Sequence, residues 1–135
     1  MNLSLAGKKV LITGITGGAG PLIADELINE KIKVFGIYHS ENGLEEAVDR
    51  LENADDIQFY RADLTDESEV NELASKYVSK NSRLHGLLNL VGGFSSGNLS
   101  NTSKKDLINS FNRQAASVFL TMKYFAEPLI EAGGS

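Results

Sequence analysis

Apolar positions along the chain follow two alternating rhythms. Short, nearly continuous apolar runs occur at KKVLIT (Lys8–Thr13), KVFGIY (Lys33–Tyr38), IQFYRA (Ile57–Ala62) and LHGLLNLVG (Leu84–Gly92). Each is bounded by charge, glycine or polar residues, and each predicts a buried strand. Between them the spacing changes to three and four residues. Leu22, Ile23, Leu27 and Ile28 keep it up to about Lys31, then Leu44, Ala47, Val48 and Leu51, then Val70, Leu73, Ala74, Tyr77 and Val78. These intervals predict amphipathic helices. Thr65 is expected to cap the third, with Asp66 and Glu67 facing the positive end of its dipole. After the polar stretch GFSSGNLSNT, Ser103 and Asp106 form a capping-box pattern. A long helix over Lys104–Ala132 should follow, carrying Leu107, Phe111, Phe119, Met122 and Phe125 at helical spacing. Pro128 is expected to kink or end it.

Four strand–helix units in succession predict a parallel sheet with right-handed crossovers and helices on both faces. At 135 residues the chain suits a single α/β domain spanning 1–135. Composition narrows the partners. Thirteen basic and eighteen acidic residues give a net charge of −5, with the basic ones scattered. That argues against nucleic acid or anionic membrane as the partner. The chain has no cysteine, so disulfides and thiolate chemistry are absent, and a cytoplasmic location is expected. His39 and His85 stand alone, without the spacing of a metal site, so no metal is expected.

One segment asks for more than a structural reading. In LITGITGGAGPLI (Leu11–Ile23) the glycines follow the first strand and open the first helix. Helix starts present unpaired N–H groups to anions, and glycine lets a phosphate approach the backbone closely. The GxGxxG pattern fails, since Gly18 and Gly20 are followed by Ile23, and no GK[ST] completes a P-loop. The pattern present is T-G-x-x-x-G-x-G, at Thr13, Gly14, Gly18 and Gly20.

That spacing resembles the cofactor loop of the short-chain dehydrogenase/reductase family, and the resemblance runs along the whole chain. ADLTD places Asp63, followed by Leu64, just past the third strand, where the family's acidic residue meets adenine. NLVGG (Asn89–Gly93) resembles the family's NNAG motif, matching at Asn89 and Gly92 and departing at Leu90 and Val91. In FNRQAASVFLTMKYF, Asn112 takes the place of the family's helix asparagine. The resemblance implies a Rossmann-like sheet of order 3-2-1-4 and an NAD or NADP cofactor. It assigns cofactor contacts to Thr13, Gly14, Thr16, Gly17, Gly18, Ala19 and Gly20, to Tyr38, His39 and Ser40, and to Asp63, Leu64, Asn89, Val91 and Gly92. NAD enzymes usually hold the ribose 2′-OH with an acid at the end of the second strand. Tyr38, His39 and Ser40 supply none, which leans the expectation toward NADP.

The reaction such an enzyme performs is hydride transfer between nicotinamide and a carbonyl or alcohol. It uses a serine, a tyrosine and a lysine four residues after that tyrosine. Here the residues four after Tyr38, Tyr60, Tyr77 and Tyr124 are Asn42, Leu64, Asn81 and Pro128. Of the catalytic positions the resemblance implies, only Asn112 is present, and the others would lie beyond Ser135. The chain therefore reads as the cofactor-binding half of an oxidoreductase, truncated after about four strands and inactive alone. The alternatives are a non-catalytic nucleotide-binding or regulatory protein, or the residual product of a disrupted gene. The loop 93–102 is expected to border a substrate. The helix Lys104–Ala132, the apolar strand Leu84–Gly92, or both, are expected to form a homo-oligomer contact.

Overall fold

The computed structural model describes residues 4–93 and 97–134. Four parallel strands form one sheet in the order β3-β2-β1-β4. They are β1 (Lys9–Thr13), β2 (Lys33–Tyr38), β3 (Ile57–Arg61) and β4 (Gly86–Asn89). β1 lies between β2 and β4, and its last residue, Thr13, is opposite Ile37 on one side and Asn89 on the other. The connecting helices are α1 (Gly20–Asn29), α2 (Glu41–Val48) and α3 (Glu67–Asn81), and a short 3-10 turn at Ala54–Asp56 leads into β3.

The pleat divides the apolar residues between two cores, because successive side chains on a strand face opposite ways. Leu11, Phe35 and Ile37 point toward Val70, Leu73 and Tyr77 of α3 and toward Phe125 from the C-terminal helix. Ile12, Val34 and Ile57 point the other way, toward Ala24 of α1. Tyr77 is fully buried between Phe35 and Phe125, with ring centroids 5.0 Å and 5.7 Å away in edge-on contacts. Its hydroxyl donates to the Arg83 carbonyl at 2.7 Å, so the polar end of this core residue is satisfied.

Four expectations change. Apart from β2, which spans its whole run, the strands are shorter than their apolar runs, most of all β4, because pairing with β1 covers only Gly86–Asn89. The cap of α3 is Asp66, whose side chain accepts from Glu69 N, and not Thr65. Thr65 is drawn away by Asp63, to whose Oδ1 it donates both its N–H (2.9 Å) and its hydroxyl (2.7 Å). The long C-terminal helix is present but in two parts. α4 (Lys104–Phe111) and α5 (Ser117–Ala132) meet at a π turn over Asn112–Ala116. Pro128 does not end α5. It is buried, and its carbonyl accepts Leu84 N–H at 3.0 Å, so contact with the start of β4 holds the last turn. Gly133, left-handed at φ 63°, ends the helix instead.

The start of β4 carries a pH-sensitive fastening. His85 N–H donates to the Lys9 carbonyl (2.8 Å), and Lys9 N–H donates to His85 Nδ1 (3.1 Å). An imidazolium cannot accept that bond. Partial burial, with Lys8, Lys9 and Arg83 nearby, holds His85 below its ordinary value of 6.5. The unfolded chain then takes up the proton more readily, so this contribution is complete above that value and is lost as pH falls through the lower folded value. Urea denaturation of wild type and His85→Asn between about pH 7 and pH 5 should show the wild type losing more stability. Parallel losses would contradict the assignment.

Candidate functional site

The strands run parallel, so their carboxyl ends share one edge, and a cleft of about 240 Å³ opens there. The turn after β1 makes one wall. Gly14 has a φ of 67°, and a Cβ on it would lie 2.8 Å from the Leu90 carbonyl carbon and Val91 N. Only glycine allows that backbone turn and that approach between β1 and β4 together. Ile15 is fully buried in the core under the sheet and anchors the turn. The loop closes with Gly17 N–H donating to the Gly14 carbonyl at 2.9 Å. At its end, a Cβ on Gly20 would lie 2.2 Å from the Ile15 carbonyl oxygen, so this glycine packs helix against loop. Gly18 is different: a Cβ there would meet nothing within 4 Å.

The loop delivers the chain into α1 without a cap. Ser40, Asp66 and Ser103 cap α2, α3 and α4 with side-chain oxygens. At α1 the capping residue is Ala19, which has none, and the first turn holds no acidic residue. Pro21 near the first helical position removes one orphan donor, and the rest point out of the helix start.

The floor is fixed by a buried hydroxyl network. Thr13 is fully buried, and its Oγ1 accepts Leu90 N–H at 3.2 Å. The Asn89 side-chain oxygen lies 3.3 Å from Thr13 Oγ1 and accepts from the Thr121 hydroxyl of α5 at 2.9 Å. The ends of β1 and β4 and the middle of α5 are therefore joined by three side chains, beneath Leu90, Val91 and Gly92 on the cleft wall.

The opposite wall carries the titratable groups. His39 Nε2 stands 3.8 Å from Asp63 Oδ2, and both face the cleft. The two bonds from Thr65, aided by His39, hold the Asp63 carboxyl below its ordinary value, so it is a charged acceptor at neutral pH. Glu69 fixes the backbone there by accepting Asp63 N–H at 2.7 Å. Tyr38 donates its hydroxyl to Glu41 at 3.3 Å, and burial with that carboxylate raises its value above the ordinary one.

Of the residues expected to bind a cofactor, Gly14, Thr16 and Gly17, Tyr38 and His39, Asp63 and Leu64, and Val91 and Gly92 line this one cleft. Thr13 and Asn89 lie beneath it in the hydroxyl network. Gly18, Ala19 and Gly20 form the loop edge and helix start, and Ser40 is occupied as the α2 cap, accepting Gly43 N–H at 3.2 Å. Asn112 is exposed at the head of the π turn and is not among the lining residues. Arg113 and Ser117 reach the cleft in its place, and neither was singled out from the sequence. The π turn shifts the helical phase there, and spacing alone carries no sign of it. Ile37, Ala62, Leu90 and Thr65, also lining residues, follow from the strand ends and were legible only as their neighbours. Among the described residues no cluster of three or more potential metal ligands occurs.

A parallel sheet with a glycine turn after its first strand, and a cleft where the order switches between β1 and β4, is the arrangement of nucleotide-binding α/β proteins. The comparisons make this specific. The profile of the short chain dehydrogenase family matches residues 8–135, and the chain belongs to that family. An uncharacterized oxidoreductase of Schizosaccharomyces pombe is 32% identical over 91 residues, which are 65% of this chain and 27% of that protein. The structure of ElxO with NADP bound superposes with a TM-score of 0.83 at 29% identity, covering 96% of this chain and 53% of that one. An NADH-dependent reductase complexed with NAD gives a TM-score of 0.79 at 27% identity, covering 96% and 55%. The chain thus spans about a quarter of that curated relative and about half of each of those structures.

The two kinds of glycine separate experimentally. Gly20→Ala should destabilise the chain by roughly 2 kcal/mol or more, since backbone must move, whereas Gly18→Ala should change stability by less than about 1 kcal/mol. Urea denaturation measures both. Equal losses would contradict the geometry.

Proposed function

We propose that the chain holds the adenosine and pyrophosphate of a nicotinamide dinucleotide, as the cofactor-binding part of an oxidoreductase of its family. The observation that carries this reading is the Gly14–Gly20 turn opening into the uncapped start of α1. The turn satisfies the steric condition for such a ligand, since Gly18 leaves open space where a side chain would otherwise stand. Pyrophosphate would lie against the loop and helix N–H groups. His39 and Asp63 flank the adenosine side, with Asp63 able to accept from an amino group.

The cofactor supplies the hydride or takes it up. These 135 residues provide neither a serine–tyrosine–lysine set nor any Tyr-x-x-x-Lys pair, so we assign the chain no turnover by itself. Asn112 is the single catalytic position that the family resemblance carries over to this chain. The end of β2 has no acid at Tyr38–Ser40, which supports NADP over NAD.

This reading has a direct consequence in solution. Calorimetry should give NADPH and its adenine half, 2′-phosphoadenosine 5′-diphosphate, dissociation constants within about tenfold of each other, because the adenine half makes the contacts. Strong binding that depends on the nicotinamide would contradict the reading, as would no binding at all. A non-catalytic nucleotide-binding protein predicts the same calorimetry, and activity of a longer chain distinguishes the two.

Association with a second copy is the other part of this proposal. Leu107 and Phe111 of α4 and Phe119 and Met122 of α5 are 64%, 62%, 64% and 56% exposed. Phe111 and Phe119 lie eight residues apart, one more than two α turns, and the π turn takes up the extra residue. β4 also forms one edge of the sheet. Sedimentation at high protein concentration should show a dimer or larger species, and Phe119→Asp should shift it toward monomer. A monomeric wild type would contradict this.

A further inference from the structure

The segment Leu11–Ile23 contains no lysine or arginine, although it forms the wall expected to face a pyrophosphate. A cation reaches it from elsewhere. Arg50, two residues past α2, donates from Nη2 to the Thr16 carbonyl at 3.0 Å and toward the Gly17 carbonyl at 3.4 Å. Its Nε donates to the Glu46 carbonyl at 3.2 Å, which fixes the plane of the guanidinium. Thr16 and Gly17 both line the cleft. Their carbonyl dipoles are thereby turned onto a positive charge.

The same short segment also grips α1. Asp25, a buried carboxylate of that helix, accepts from Glu52 N (3.1 Å), Asn53 N (3.0 Å) and Asn53 Nδ2 (3.2 Å). Residues 50–53 thus fasten the glycine loop through Arg50 and the helix behind it through Asp25. A loop with glycine at 14, 17 and 18 pays a large conformational entropy on ordering, and a clasp that orders it beforehand removes that cost from ligand binding.

We propose that Arg50 is a positioning residue for the cofactor phosphates: it holds the Thr16–Gly17 backbone in the phosphate-accepting conformation and supplies the positive charge that the loop lacks. This rests on the cofactor reading above. Lysine in its place keeps the charge but not the planar fork that spans two carbonyls, so it should restore only part of the effect.

Calorimetry on wild type, Arg50→Gln and Arg50→Lys with adenosine, ADP, NADH and NADPH tests the proposal. Arg50→Gln should weaken ADP, NADH and NADPH alike by about tenfold, with Arg50→Lys between it and wild type. Adenosine should be unchanged, and amide exchange at Gly17 and Gly18 of the unliganded chain should quicken at an unaltered melting temperature. If Arg50→Gln does not fold, the Arg50→Lys series gives the same test at smaller amplitude. ADP binding that matches wild type in both variants overturns the proposal. So does weakening confined to NADPH, which makes Arg50 a direct ligand of its additional phosphate. Equal weakening of adenosine overturns it as well, as loss of general structure. These three outcomes leave the cofactor reading standing. A wild type that binds none of the phosphate-bearing ligands removes that reading, and this proposal with it.

Discussion

At the cleft the turn after β1 packs backbone against backbone on the chain leaving β4. A Cβ on Gly14 would fall 2.8 Å from Leu90 and Val91, so the two strand ends meet with no room for a side chain. Parallel strands joined by crossovers carry their carboxyl ends to one edge, and at that edge β1 and β4 must diverge around whatever the sheet binds. Thr13, Asn89 and Thr121 tie the two ends to α5 through buried hydroxyl and amide oxygens, where an unpartnered polar group would be costly. The site's walls inherit their positions from this contact.

From it the remaining features follow in order. Because Gly14 turns left-handed, Ile15 can drop into the core, where Gly36 on β2 makes room for its side chain. Because Ile15 is anchored, the next residues rise to the surface and re-enter at Gly20, whose lack of a side chain lets α1 start hard against the Ile15 carbonyl. The helix start that follows the cleft-lining Thr16 and Gly17 is left uncapped. An anion is the group that such a start accepts at least cost, and the chain lacks its own side-chain substitute there.

The alternation of strands and helices and the glycine turn were legible in the sequence because their signals are local, whereas the sheet order and most of the cofactor contacts were legible only through the family resemblance. Apolar runs of six to nine residues mark strands, and a glycine turn between strand and helix marks the switch point. What escaped depends on competition between partners and on helix phase, which residue spacing does not rank. Thr65 has the chemistry of a cap, yet Asp63, two residues earlier, takes both of its donors, leaving Asp66 to cap α3. Pro128 has the chemistry of a helix breaker, yet its carbonyl is held by Leu84, just before β4 and 44 residues away in sequence. Arg113 and Ser117 enter the cleft only because a π turn alters the helix phase, and no spacing rule announces one. Arg50 lies 33 residues beyond the loop it braces, in a stretch that reads as an exposed helix end.

The account stands on the claim that the Gly14–Gly20 backbone is an anion cradle. Titrating the isotopically labelled chain with ADP, while following each backbone amide by NMR, tests that claim residue by residue. The account predicts the largest shifts at the amides of Gly14 to Gly20, with smaller ones at His39, Asp63 and Gly92 around the same cleft. Shifts centred elsewhere, or none at saturating ADP, would contradict it.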